Sequence, residues 1–262
     1  MRFFGRRAEV VPSPNIWYHA DVYERENQVQ DVDDEIWSYL AAVASWTDAD
    51  VVDVGCGAGF HLPRFATTAR SVVGVEPHPP LVRRARERVA GTSSVSVLRG
   101  TAQSLPLPDD SVDVVHARTA YFFGPGCEPG LREADRVLRP GGTLAIVDLD
   151  TGVAPYGDWM LADLPRYRAA EVDAFFADQG FTCRRITTRW VFPDRQLLEA
   201  VLRIEFSPTV ASRAVVDTLR LNRGRTGPWE LPVGYRVLVR HKPTGLLRAS
   251  EPLAGHGTLT GP

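Results

Sequence analysis

Val51-Val52-Asp53-Val54-Gly55-Cys56-Gly57-Ala58-Gly59-Phe60 is an apolar run that ends in an acid and then alternates glycine with small residues. A short apolar run of this kind makes a buried strand. Glycines directly behind a strand make a turn so tight that a ligand can touch bare backbone. Two cofactor classes compete for such a turn. A dinucleotide fold calls for G-x-G-x-x-G; Gly55 and Gly57 fit its first two positions, but Phe60 stands at the third. Asp53 adds a second argument, because a carboxylate beside a phosphate repels it and suits a ligand that carries an ammonium group. The stretch therefore speaks against a nicotinamide cofactor.

Working outward, strands alternate with helices. After the first strand, at about 50–54, a helix is expected over about 61–69 and a second strand over 72–75, closed by Glu76-Pro77. A helix over 81–90 carries Arg83, Arg84, Arg86 and Arg88 on what reads as a solvated face. Strands follow at 95–98 and 112–115, a helix at 130–138 and a fifth strand at 143–149. This alternation predicts a parallel sheet with right-handed crossovers. Upstream, Asp33-Asp34-Glu35 opens a helix to about Trp46, with acids suited to its N-terminus. Downstream, a helix is expected over 166–179, a strand over 181–192, two helices over 194–206 and 209–221, and a last strand over 233–239. The stripes Leu197, Leu198, Val201, Leu202 and Val215, Val216, Leu219 make the segment from about Pro193 to Pro232 a helical insert between the last two strands. It is expected to cap the acceptor site or to form a dimer face. The whole chain, 1–262, reads as one domain: an arm and lid helix over 1–46, a cofactor core over 47–150, a substrate-side half over 151–243 and a frayed tail over 244–262.

Glu76 ends the second strand, where a carboxylate can accept hydrogen bonds from two ribose hydroxyls. Each such charge-assisted bond is worth roughly 1.5–3 kcal/mol. Nicotinamide proteins place an acid similarly, so Glu76 alone does not discriminate.

Taken with the later pieces, the chain resembles the class I S-adenosylmethionine-dependent methyltransferases of the small-molecule type. Asp53 to Gly59 matches the glycine motif, Glu76 the ribose acid, Gly100 to Asp109 the adenine loop, Asp113-Val114-Val115 the fourth strand, and Leu138 to Leu144 the approach to the fifth. The resemblance implies an α/β, Rossmann-like, doubly wound seven-stranded sheet, mostly parallel with an antiparallel last strand, bearing an N-terminal lid and the helical insert. It implies S-adenosylmethionine as cofactor, held by Asp53, Gly55, Cys56, Gly57, Gly59, Glu76, Pro77, Thr101, Ala102, Gln103, His116, Ala117 and Tyr18. Asp53 would orient the methionyl amino end. The family often has Asp where this chain has Thr101, a weaker acceptor for the adenine amino group. His116, just after the fourth strand, is the candidate general base, and as a base its loss would lower turnover while sparing cofactor affinity. His19, Tyr23, Tyr121, Phe122, Tyr156 and Trp159 are the candidate acceptor pocket, whose apolar walls suit a hydrophobic or aromatic small molecule. His61 reads as cover for the cofactor, and Arg203 and Glu205 as a surface or helix pair rather than a site.

The alternatives are a module that binds the cofactor without methylating and, further off, a nicotinamide oxidoreductase. The composition, 44% apolar and 24% charged with a net charge of −2, is that of a globular chain without a global polycation for nucleic acid or acidic lipid. The loop His116-Ala117-Arg118-Thr119 lacks the Asn/Asp-Pro-Pro-aromatic run of amino-methylases acting on bases, and no Pro-Cys pair exists for cytosine-carbon methylation. Nucleic acid is therefore not expected as a partner. Three widely spaced cysteines form no metal or disulfide pattern, which fits a reducing cytoplasm. No secretory leader, no apolar stretch of about 18 residues for a membrane span and no metal site are expected. Asp148 and Asp150 at the end of the fifth strand lack a third ligand.

Overall fold

A computed structural model describes residue 10 and residues 12–244 of the chain. The expected tail beyond residue 244 and most of the arm before residue 12 lie outside the described residues. Seven strands form one sheet: β1 (Asp50–Val54), β2 (Ser71–Glu76), β3 (Val95–Arg99), β4 (Val112–Arg118), β5 (Leu138–Asp150), β6 (Thr182–Phe192) and β7 (Trp229–His241). Their order is β3-β2-β1-β4-β5-β7-β6. The strands from β3 to β5 pair in parallel, whereas β7 runs antiparallel to both β5 and β6. This is the doubly wound methyltransferase-type sheet expected from the sequence.

Both faces of the sheet are covered, which is why its central strands are nearly continuous apolar runs. Along β1, Val51 packs into the core on one face and Val52 and Val54 into the core on the other, as the two-residue side-chain period requires. The second of these cores is closed by α6 (Glu128–Val137) and α8 (Ala169–Asp178), through Leu131, Ala134, Val172 and Phe176. The first is closed by α3 (Glu35–Val43), α5 (Pro79–Val89) and the late helices.

The N-terminal segment, which carries no helical periodicity of its own, folds as α1 (Pro14–Tyr18) and α2 (Ala20–Val29). Helix α3 begins at Glu35 with Asp34 at its N-cap position, as expected, and the acid that satisfies its first amides is Asp31. Its carboxylate accepts from the amides of Glu35 at 3.0 Å and Ile36 at 3.1 Å, satisfying donors that a helix start leaves free. The helix expected over 61–69 shortens to α4 (Leu62–Phe65), after which the chain turns. A helix not expected from the sequence, α7 (Tyr156–Asp163), follows β5. The arginine-rich face of α5 is only partly solvated: Arg84 and Arg88 reach Asp21 and Glu24 of α2, each at 2.6 Å.

The insert lies where the sequence puts it, as α9 (Arg195–Glu205) and α10 (Pro208–Leu221). Asp194 caps α9 by accepting from the Leu197 amide at 2.7 Å. Leu197, Leu198, Val201 and Leu202 are all buried, and α9 packs against α1 and α2. On α10 the stripe is Val210, Ala211, Ala214, Val215 and Thr218; Val216, counted with the apolar stripe above, is 45% exposed. One position along a helix rotates a side chain by about 100°, enough to move it from core to solvent.

Candidate functional site

A cavity of about 490 Å³ opens at the C-terminal ends of the parallel strands, roofed by α1 and α2. In open α/β sheets this is where ligands bind. Its floor is the glycine turn. Gly55 and Gly57 have φ of +75° and +55°, a region that costs an L-residue about 1–2 kcal/mol. The space is closed as well: a Cβ on Gly55 would lie 2.5 Å from that of Ala120, and one on Gly57 would lie 2.7 Å from Cδ1 of Ile16 in α1. The turn is tied to β2 by the amides of Gly55 and Cys56, which donate to the Val75 carbonyl at 2.8 and 3.1 Å.

Glu76 is buried in the cavity wall. One carboxylate oxygen accepts from the Gly57 amide at 3.1 Å, the other from the His78 amide at 2.9 Å. A carboxylate has about four lone-pair sites, so each oxygen keeps capacity for one ligand donor. Burial pushes the Glu76 carboxyl above its ordinary pKa, against the two amides that favour the charged form. Thr101, Ala102 and Gln103, which follow β3, line the same cavity, with Pro77 and Cys56. From the acceptor list, Tyr23 and Tyr121 line it too.

Other expected site residues lie elsewhere. Tyr18 is 74% exposed and His19 is exposed; neither lines the cavity. The adjacent Ile16 and Trp17, which the sequence reading passed over, do. Gly59 packs against Ala85 of α5 instead. Ala117 and Phe122 are buried in the core under α6. Tyr156 and Trp159 are core residues: the Tyr156 hydroxyl donates to Glu205 at 3.2 Å and the Trp159 indole to Asp217 at 3.2 Å. Asp148 and Asp150 pair with Arg236 and Arg185. Among the described residues, no three His, Cys, Asp or Glu side chains are grouped to hold a metal.

The largest departure concerns Asp53 and His116. Register sets these two residues side by side on β1 and β4. His116 Nδ1 donates to Asp53 Oδ1 at 2.7 Å, with both side chains almost fully buried. The imidazole packs between Trp37 and Phe65, at 5.8 and 5.0 Å between ring centroids. Neither residue lines the cavity. The imidazole expected to face the acceptor, and the carboxylate expected to face the methionyl amine, thus face each other behind the wall.

One histidine on the cavity wall and one pair of acids complete the site. His61 lines the cavity beside Phe60 and Trp37. Burial, reinforced by Arg118, holds its pKa well below the usual value, so it is a neutral imidazole at physiological pH. Glu205 is no surface residue. It accepts from Asn15 Nδ2 at 2.9 Å and from Tyr156, and it faces Glu26 of α2, which is 2% exposed. Burial first, and then the neighbouring Glu205, pushes Glu26 well above the ordinary carboxyl pKa; burial likewise raises Glu205. Tyr23 and Arg118 face the same pair. Raised acid pKa values mean that the folded state holds protons which the unfolded chain sheds, so this stabilisation is lost as pH rises through the folded values. Glu26→Gln keeps the acceptor for Gln30 and removes the charge. It is expected to raise the melting temperature by about 2 °C or more at pH 8, a gain that shrinks at pH 5. A variant that melts lower at pH 8 would count against this account of the two acids.

The family profile of the methyltransferase domain matches residues 52–146, which run from β1 to β5. Over these residues the chain is similar to the class I S-adenosylmethionine-dependent methyltransferases. It is 28% identical over 152 residues to the uncharacterized methyltransferase YcgJ of Bacillus subtilis, covering 57% of this chain and 60% of that protein. It is 30% identical over 141 residues to the demethylmenaquinone methyltransferase of Clavibacter sepedonicus, covering 52% and 57%. The aligned part thus spans little more than half the length of these curated relatives. The crystal structure of a SAM-dependent methyltransferase from Aquifex aeolicus matches the fold with a TM-score of 0.52 at 20% identity, over 84% of this chain and 96% of that one.

The residues of this site fit S-adenosylmethionine, the cofactor that the matching family implies. The side-chain-free turn leaves room for close backbone approach, and the two spare acceptor positions on Glu76 match the two hydroxyls of a ribose. Thr101 and the Ala102 amide are at hand for a purine edge. Glu76 and the turn are coupled, because the Gly57 amide is one of the groups that orient the carboxylate.

Proposed function

We propose that this methyltransferase transfers a methyl group from S-adenosylmethionine to a small-molecule acceptor. The observation that carries the reading is the single cavity wall that joins the glycine turn, the Glu76 carboxylate and the loop after β3. The cofactor would supply a methyl carbon made electrophilic by its sulfonium. Gly55 to Gly57 and Glu76 would hold the amino-acid side and the ribose, and Thr101 to Gln103 the base. Helices α1 and α2 would serve as a lid, with Ile16, Trp17 and Tyr23 excluding water. Alignment of acceptor and methyl within such an enclosure is worth several kcal/mol of barrier by itself, so no dedicated base is required of every acceptor. Where a proton must leave, neutral His61 is better placed than buried His116. The apolar rings of Tyr121 and Phe123 on the cavity wall suit a hydrophobic or aromatic acceptor. The three free cysteines accord with a reducing, cytoplasmic setting. Among the described residues, no helix is long and apolar enough to cross a membrane.

Titration calorimetry tests the reading. S-adenosylhomocysteine is expected to bind in the micromolar range and NAD not at all. NAD binding without S-adenosylhomocysteine binding would overturn it. A chain that binds the cofactor product but never consumes S-adenosylmethionine with any acceptor would instead be a binding module.

A further inference from the structure

Arg118 ends β4 in the cavity wall and is 8% exposed. Its Nη2 donates to the neutral amide oxygen of Gln30 at 3.1 Å, while Nη1 is buried with no acceptor. The guanidinium lies over two rings, its central carbon 5.3 Å from the Tyr235 ring centroid and 5.9 Å from that of Trp37. Among the described residues it makes no ion pair. A dry guanidinium held by one neutral acceptor is costly unless something else carries the opposite charge.

The nearest acids do not fill that role. Glu26 uses one oxygen on Gln30 and faces Glu205, and burial favours the uncharged form of both. His61, the imidazole that shares the cavity with Arg118, is neutral. This end of the cavity therefore holds a guanidinium that has no ion-pair partner among the described residues and one buried nitrogen without an acceptor. Tyr23 and Thr119, whose hydroxyls lie 3.5 Å apart, add neutral hydrogen-bonding groups beside it. A planar guanidinium with hydroxyls beside it is suited to a planar, two-oxygen anion.

We propose that Arg118 is the receptor for a carboxylate inside the cavity. The inference rests on the methyltransferase reading, which offers two sources of that group: the α-carboxylate of the cofactor's methionyl moiety, and a carboxylate on the acceptor.

The test uses the full-length protein and three ligands: S-adenosylhomocysteine; 5′-methylthioadenosine, which keeps the nucleoside and thioether but lacks the carboxylate; and benzoate added to the protein saturated with S-adenosylhomocysteine. If the cofactor is the source, Arg118→Gln weakens S-adenosylhomocysteine at least tenfold and leaves 5′-methylthioadenosine unchanged. If the acceptor is the source, both nucleosides bind as in the wild type, and benzoate binding is lost. Arg118→Lys, which keeps the charge, restores part of whichever affinity was lost. In the wild type, neutral benzamide fails where benzoate binds. Unchanged affinity for all three ligands in Arg118→Gln overturns the proposal. So does an equal loss of both nucleosides, which marks Arg118 as a packing residue, or a Lys variant no better than Gln. Should Arg118→Gln not fold, the Lys variant and the benzoate–benzamide comparison decide. A wild-type protein that binds neither nucleoside refutes the methyltransferase reading, a distinct outcome.

Discussion

Replacing His116 with alanine is expected to destabilise the protein by about 3 kcal/mol, with a fall in melting temperature of roughly 6–10 °C. The reason is the partner left behind. Asp53 keeps its burial at 3% exposure and loses the donor 2.7 Å away, and a hydrogen bond to a buried charged group is among the most expensive to remove. The vacated space between Trp37 and Phe65 adds a cavity term. Asp53→Asn in the same background should recover part of the loss, because an amide tolerates a missing donor better than a carboxylate does. The two single variants and the double variant together form a cycle that isolates the pair. A His116→Ala protein that melts with the wild type would remove the buried-pair account and return His116 to consideration as a base.

That pair marks the boundary of what the sequence made legible. The glycine turn, Glu76 and the loop after β3 are readable because their chemistry tolerates few residue types: bare backbone where φ is positive, and a carboxylate where a strand ends. The sheet and its insert are readable from spacing. Motif position assigns Asp53 to a ligand, yet alternation along β1 puts it on the same face as Val51, beneath α3. The same period along β4 groups His116 with Val114 and Arg118. Register, which sets Asp53 opposite His116, is decided by the whole sheet and is not written in either strand.

The remaining misses are long-range. Glu26 and Glu205 are brought together by the packing of α9 on α2, two helices about 180 positions apart in the chain. Locally, Glu205 sits between Ile204 and Phe206 near a helix end, and only its tertiary neighbours make it a half-buried acid facing another. Tyr156 and Trp159 follow a strand end, where pockets are common, but the unexpected helix α7 turns both rings into the core. Composition distinguishes neither case from a lining residue. Tyr18 and Trp17 are adjacent aromatics, and only the orientation of α1 decides that Trp17 stacks on His78, with ring centroids 4.4 Å apart, while Tyr18 points to solvent.

Glu76→Ala is expected to weaken S-adenosylhomocysteine binding by about 100-fold, since two charge-assisted bonds of roughly 1.5–3 kcal/mol each are at stake and part of that is returned by solvation. Glu76→Gln should be nearly as damaging. In the wild type both oxygens already accept from backbone amides, those of Gly57 and His78. A glutamine must turn its NH₂ towards one of these donors, so it either disturbs the turn or swings away from the ligand. The carboxylate account also carries a pH signature. Burial raises the Glu76 carboxyl, so protonation sets in at a higher pH than for an ordinary glutamate. The protonated group loses an acceptor, and affinity falls as pH drops through that raised value. The Gln variant has no such titration and should show a flatter profile over the same range. Calorimetry of the three proteins between pH 5 and pH 8, as an order-of-magnitude window around carboxyl titration, reads affinity and slope together. Near wild-type affinity in Glu76→Ala would separate the ribose from this carboxylate. A Gln variant that binds tightly but still titrates would assign the pH dependence to another group, with Glu26 of α2 and Glu205 of α9 the next to test.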